Sequence, residues 1–285
     1  MNSIIYAYRN RPSMLRACLR SIELFSKTVP NKSFEIVLVD LGSENSKPIV
    51  KKYDDLIPLK YYWIDYKGIF WKTKALNYGV KRCSGDIVTI LDIDGLIGPS
   101  FLSGTHCYFS DPSNTNTRLS HRVRIMYGNM NRFFSSNDNF TEKDIYSFIL
   151  NRIKLTKMTQ ERYSVECRLL RDIPKDQHTP YLEENEVVGC SHCSLSKDNY
   201  ISIGGCNEEF IGHGCEDLEF NLRCMRKLKV GRMLRDPEYN IFHIEHSHGL
   251  GWTNSKNAVN NSLLFKKTRT ENLISIPIGE RWGEF

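Results

Sequence analysis

What the 285-residue chain lacks narrows its function before any motif is read. No apolar run is long enough to span a bilayer. The opening Met1-Asn2-Ser3 leads into Ile4-Ile5-Tyr6-Ala7-Tyr8, too short and too polar-flanked for a secretory signal. No block of Lys or Arg accompanies the net charge of +6, so nucleic acid is not expected as a partner. The same excess suits an enzyme that handles diphosphates or works beside anionic lipid. No G-x-G-x-x-G follows the first apolar run, which argues against a dinucleotide-dependent dehydrogenase. Repeats and low-complexity tracts are absent. The nine cysteines include Cys190-Ser191-His192-Cys193 but no second C-x-x-C pair, so a paired structural zinc site is not expected. The thiols read as reduced, small buried hydrophobes. These absences predict a cytoplasmic protein, with peripheral membrane contact as the open alternative.

What is present is an ordinary globular balance, 40% hydrophobic and 25% charged, enough for a sizeable core. Strand and helix signals alternate in the first half. Apolar runs at Ser3 to Tyr8, Phe34 to Val39, Leu59 to Trp63 and Asp86 to Leu91 read as strands. Helical spacing begins at Pro12 and again over Thr73 to Lys81. Nearly continuous apolar strands predict an α/β fold: a mixed, mostly parallel central sheet with helices on both faces. Ligands bind such sheets at the carboxyl ends of the strands, where Arg9, Asp40, Asp92 and Asp94 stand. One domain over residues 1–285 is expected. Residues 1–110 form its alternating part, 111–186 a polar variable insert, and 187–285 a part rich in Gly, Cys, His and acids. The insert carries a predicted strand at Arg122 to Tyr127 and a predicted helix from Glu142 to Thr159.

Three clusters hold residues that can do chemistry. Asp92-Ile93-Asp94 closes the fourth predicted strand, and residues two apart on a strand share a face. Two neighbouring carboxylates repel unless a cation lies between them, and hard divalent cations bridge carboxylates to phosphate. Two acids in a solvated turn would look the same in so short a motif. The second cluster, Gly204-Gly205-Cys206 through Phe220, is a glycine-rich approach to a helix that opens with Glu216 and Asp217. The helix dipole stabilises acids there, and an acid there can also face a pocket as a base. The third is Phe242-His243-Ile244-Glu245-His246-Ser247-His248. Imidazole suits Mn²⁺ better than Mg²⁺. If the segment is extended, His246 and His248 share one face and His243 takes the other. Histidines in a surface loop are the alternative.

In this order the pieces resemble the GT-A glycosyltransferases, the family-2 enzymes with a galactosyltransferase-like C-terminal half, such as chondroitin polymerases. The likeness runs through Ile4 to Arg11, Val37-Leu38-Val39-Asp40-Leu41-Gly42-Ser43, Lys74-Ala75-Leu76-Asn77-Tyr78-Gly79 and Ser84 to Asp94. It resumes at Gly204-Gly205 through Arg223 and, more loosely, at the histidines. The resemblance implies a Rossmann-like GT-A fold, with 1–110 as the nucleotide-sugar half and 187–285 as the acceptor and catalytic half. It implies that Tyr8, Arg9 and Asp40 line the nucleotide pocket, flanked by Lys74 and Asn77. Asp92 and Ile93 would lie near the ribose or metal. Asp94 would bind a divalent cation, Mn²⁺ ahead of Mg²⁺, completed by His243 or His246. Asp217 would be the catalytic base, Glu216 would hold hydroxyls, and Gly205 and His213 would face sugar or acceptor.

Three departures from the family pattern stand out. Leu41 replaces the usual second acid, His213 the usual aromatic, and Cys215 a glycine. The sugar preference therefore does not carry over. The implied reaction moves a sugar from a nucleotide-sugar, UDP-linked first, to a hydroxyl of a glycan, lipid-linked or protein acceptor. Inversion is expected because Asp217 stands where the retaining polypeptide N-acetylgalactosaminyltransferases usually have Asn. Two rivals remain. A nucleotidyltransferase normally has a glycine-rich loop after its first strand, which Ala7 to Arg11 lacks. A non-catalytic sugar- or nucleotide-binding module would turn over no donor.

Overall fold

A computed structural model describes residues 1–121, 123–126, 128–152, 192–232, 237–244, 246 and 256–285. Strands β1 (Asn2–Tyr8), β2 (Phe34–Leu41), β3 (Leu59–Ile64) and β4 (Ile87–Asp92) fall on the four predicted apolar runs. Every residue of β1 and β2 is buried, which is why these runs are apolar throughout and do not alternate with polar residues. Helix α1 (Pro12–Phe25) starts at its proline, where the missing N–H costs no hydrogen bond. Helix α2 is Lys47–Lys51, and α3 (Lys72–Arg82) is the helix read over Thr73 to Lys81.

Strand β5 is Gly95–Ile97, β6 Thr117–Ser120, β7 Val123–Met126, β8 Cys193–Ser196, β9 Lys229–Arg232 and β10 Ile241–Ile244. The main sheet has the order β3-β2-β1-β4-β8-β6-β9. Its first four strands are mutually parallel, β8 is antiparallel to β4 and β6, and β9 is parallel to β6. The mixed, mostly parallel sheet is therefore as predicted, and it draws strands from both ends of the chain. Among the described residues, a second sheet of order β5-β10-β7 sits beside it.

Strand alternation splits the core in two. Ile4, Tyr6 and Tyr8 face a cluster built with α1, whereas Ile5 and Ala7 face one built with Ala75, Leu76 and Val80 of α3. Each fully buried Leu, Ile or Val side chain contributes roughly 1.5–3 kcal/mol relative to exposure. Helices therefore cover both faces. The remaining ones are α4 (Phe101–Ser110), α5 (Gly128–Ser136), α6 (Glu142–Arg152), α7 (Lys197–Ser202), α8 (Glu216–Lys227) and α9 (Lys256–Thr270). The helix expected from Glu142 to Thr159 is α6 as far as Arg152; its remainder lies outside the described residues, as do Cys190, Glu245, Ser247 and His248. The seven described cysteines are free. No helix among the described residues is long and apolar enough to cross a membrane.

Candidate active site

The carboxyl ends of β1 and β4 carry two charged clusters, and the loop and helix α8 close one of them. Lys72, the first residue of α3, is nearly buried. Its ammonium lies 2.7 Å from Asp92 Oδ1 and 2.9 and 3.0 Å from the two carboxylate oxygens of Asp217. Gly214 and Cys215 both take positive φ, +117° and +63°, and this turn launches α8 with Glu216 and Asp217 in its first turn. The Gly214 N–H donates to Glu216 Oε2 at 2.7 Å, holding Glu216 beneath the loop. A pocket lined by Lys72, Leu76, Cys193, Cys206 and Phe220 opens beside Glu216 and Asp217.

The electrostatics follow from three acids around one ammonium. Burial, against the pull of Lys72 and with the repulsion of Glu216 and Asp92, pushes the Asp217 carboxyl up to about 7. Burial alone would lower the Lys72 ammonium, but Asp217, Asp92 and Glu216 outweigh it and hold it well above its usual value. Burial would likewise raise Asp92, yet Lys72 and then His192 keep it below the usual carboxylate range. His192, buried with its Nε2 3.9 Å from Asp92 Oδ2, is pushed down to about 4 by burial and is neutral at pH 7.

The second cluster forms at Asp94. Strand β10 runs antiparallel to β5 with His243 opposite Gly95, and the Ile244 N–H donates to Asp94 O at 2.7 Å. Gly95 permits this approach, since a Cβ there would lie 2.7 Å from the Ile241 side chain. His243 Nε2 lies 3.4 Å from Asp94 Oδ1, and His246 Nε2 lies 2.9 Å from Oδ2. Arg11 Nη1 reaches the same group, 3.0 Å from Oδ2 and 2.9 Å from His246 Nε2. Burial would raise the Asp94 carboxyl, but the two histidines and Arg11 hold it well below its usual range.

The cluster suits a divalent cation. One ligand atom each from Asp94, His243 and His246 falls within 4.8 Å of the others. Among the described residues, no hydrogen bond of normal geometry reaches the buried Asp94 Oδ1, an acceptor that a cation would satisfy. One carboxylate and two imidazoles make a borderline donor set that suits a transition metal. The expectation that strand alternation separates the histidines is corrected: β10 ends at Ile244, so the rule no longer governs His246. The shared face read for Asp92 and Asp94 is corrected for the same reason. Strand β4 ends at Asp92, and the two acids take different partners, Lys72 and the histidines.

The other expected site residues lie outside these two clusters or at their edge. The Asp40 carboxylate is wholly buried and accepts from the Ser43 N–H at 2.9 Å, the Tyr61 hydroxyl at 2.8 Å and the Ser46 hydroxyl, so it shapes the turn after β2. Tyr8 is buried beside it, its phenol pushed up to about 12 by burial and by Asp40. Part-exposed Arg9 donates to Gly68 O. Ile93 packs into the core on the α1 side. Lys74 points away from Lys72, because residues two apart on a helix sit about 200° apart; its ammonium lies 4.4 Å over the Trp71 ring. Asn77 is fully buried and fully used: it donates to Cys206 O and Glu208 Oε1 and accepts from the Tyr200 hydroxyl and the Cys206 N–H. It clamps the loop that leads into α8. Gly205 belongs to the same clamp, since a Cβ there would lie 2.7 Å from Asn77 Oδ1 and from the Trp282 ring. His213 is exposed, with Nδ1 3.8 Å from Glu216 Oε1. Sequence reasoning missed Lys72, Arg11 and His192. Lys72 and Arg11 sat inside or beside the matched stretches, and His192 was read as part of a cysteine motif.

Residues 172–247 match the N-terminal domain of galactosyltransferase. Among curated relatives, the validoxylamine A glucosyltransferase of Streptomyces hygroscopicus subsp. limoneus is 23% identical over 78% of this chain and 47% of its own length. The chondroitin synthase of Pasteurella multocida is 27% identical over 79% of this chain and 23% of its own. The chain thus spans about half, or less, of the curated relatives it matches. Among solved structures, S. aureus TarS 1-349 in complex with UDP-GlcNAc superposes with a TM-score of 0.60 at 15% identity, covering 93% of this chain and 65% of that one. A mannosyltransferase from Pyrobaculum calidifontis in complex with GDP-Man and Mn²⁺ gives 0.53 at 17% identity, covering 87% and 58%. These likenesses establish the GT-A fold. Residues 3–163, more than half of the sequence, match the Glycosyl transferase family 2 model, and the chain belongs to that family.

Proposed function

We propose that the chain is a divalent-cation-dependent, inverting glycosyltransferase that moves a sugar from a nucleotide-sugar, a UDP-sugar first, to an acceptor hydroxyl. The observation that carries this is the convergence of Asp94, His243 and His246 one turn of chain from Asp92, which shares Lys72 with Asp217. Asp94, His243 and His246 would hold the cation, and a bound cation would supply positive charge to a diphosphate leaving group.

The rest is work for the chain's own side chains. The acceptor oxygen bonds to the anomeric carbon as that carbon's bond to the phosphate oxygen breaks, and the acceptor proton passes to Asp217. A carboxyl raised to about 7 is well matched to take that proton near neutral pH. Lys72 holds both oxygens of Asp217 and so fixes its direction. Glu216 and the exposed His213 stand where hydroxyls of sugar or acceptor would be held. The UDP preference is supported by the UDP-GlcNAc complex of TarS, and the acceptor would be a hydroxyl of a glycan, lipid carrier or protein, held beside the exposed His213.

The test is a donor panel. Purified protein is mixed with UDP- and GDP-sugars, with Mn²⁺ or with chelator, and released nucleoside diphosphate is followed. Mn²⁺-dependent release from a UDP-sugar, lost in Asp94→Ala, is the expected result. Release that survives both chelator and Asp94→Ala would remove the metal from the reaction, and binding of nucleotides without turnover would favour a non-catalytic module.

A further inference from the structure

Arg11 sits on the atoms that a divalent cation needs. Its Nη1 lies 3.0 Å from Asp94 Oδ2 and 2.9 Å from His246 Nε2, while those two atoms are 2.9 Å apart. A cation ligated by both atoms would stand roughly 2.0–2.2 Å from each. The triangle these distances define leaves it within about 4 Å of Nη1 on either side, where two positive charges repel strongly. The conflict is also one of orbitals. In the tautomer that carries its proton on Nδ1, His246 Nε2 accepts the N–H of Arg11, and a metal would need that same lone pair. Arg11 and a cation therefore compete for the same two atoms.

We propose that Arg11 is a placeholder cation. With no donor bound, it keeps Asp94 and His246 in their ligating arrangement, and it gives up both atoms when a divalent ion enters together with a diphosphate. This rests on the metal-dependent reading above. The side chain is free enough to leave: it is 44% exposed, and Arg11 is the N-cap of α1 with no side-chain capping bond. A diphosphate bound with the ion would offer the guanidinium charge-assisted acceptors to replace those it loses. Metal and nucleoside diphosphate are then coupled, each strengthening the other by the same factor. The metal alone competes with an arginine and binds poorly.

The experiment counts Mn²⁺ bound at equilibrium dialysis, with and without UDP, for the wild type, Arg11→Met, Arg11→Gln and Asp94→Asn. Both Arg11 variants are expected to bind Mn²⁺ alone roughly tenfold more tightly than the wild type. UDP is expected to strengthen Mn²⁺ binding less in them than in the wild type. Two different replacements guard against a folding artefact. If neither Arg11 variant binds Mn²⁺ more tightly while Asp94→Asn abolishes binding, the metal site stands and the placeholder role is overturned. If no protein binds Mn²⁺ even with UDP, the metal-dependent reading fails and the placeholder falls with it.

Discussion

Lys72 and Asp217 meet head on, the ammonium 2.9 Å from one carboxylate oxygen and 3.0 Å from the other, while the same ammonium lies 2.7 Å from Asp92. One cation thus joins an acid at the end of β4 to an acid at the start of α8. The two acids come from opposite halves of the chain, so the site exists only when both halves share the sheet. With Glu216 adjoining, there are more acids than the ammonium can satisfy, and the surplus falls on Asp217.

The first prediction concerns that surplus. The active form of a base is the carboxylate, and its population grows as pH rises through the folded value of about 7. The kcat/KM profile of the wild type should therefore climb across that pH on its acidic side. Asp217→Asn should lower kcat by about 10²- to 10⁴-fold with UDP binding retained, read by thermal shift. Near-normal turnover in the variant would show that Asp217 is not the base.

Lys72 pulls the Asp217 carboxyl down, against burial and the neighbouring acids. Removing it in Lys72→Met should move the acidic limb of kcat/KM to higher pH. Lys72→Arg, which keeps the charge, should leave the limb near its wild-type position. A purely structural lysine would lower the whole profile without moving the limb, so the pH dependence decides the matter.

At the other cluster, the imidazoles are expected to divide the metal between them. His243→Ala and His246→Ala should each raise the Mn²⁺ concentration needed for half-maximal turnover by roughly tenfold or more, and Asp94→Ala should abolish Mn²⁺-dependent turnover. An unchanged Mn²⁺ requirement in His243→Ala would reduce the protein's share of ligands to Asp94 and His246.

How much of this was legible without coordinates depends on range. The four parallel strands could be read because burial on both faces makes them continuous apolar runs, and the acids at their ends followed from topology. Asp94, His243 and His246 were read from motif order and meet in one cluster, while Asp217, read the same way, meets Lys72 in the other. Lys72 and Lys74 could not be told apart, because the choice between them at the acids rests on the rotational phase of α3 against the sheet. Asp40 was read as a pocket residue from its strand end and Asn77 from the family resemblance, and both make internal hydrogen bonds with residues far away in sequence. Arg11 acquires meaning only once β10 pairs with β5 and brings His246 to Asp94.

The last prediction tests what carries Asp217. Glu219 and Arg223, one turn further along α8, have no exposed side-chain surface and pair at 2.7 and 2.8 Å. Arg223 also donates to Ile203 O and Gly205 O, tying the helix to the loop that Asn77 clamps from the other side. Glu219→Gln leaves a buried guanidinium without its counter-charge, and breaking a buried pair in this way costs about 3–5 kcal/mol. Urea unfolding of the variant should show a loss of that order. The double change Glu219→Leu with Arg223→Met should cost less than the sum of the single changes, since it removes both charges at once. Strict additivity would mean that the pair contributes nothing as a pair, and that α8 is held against the glycine loop by apolar packing alone.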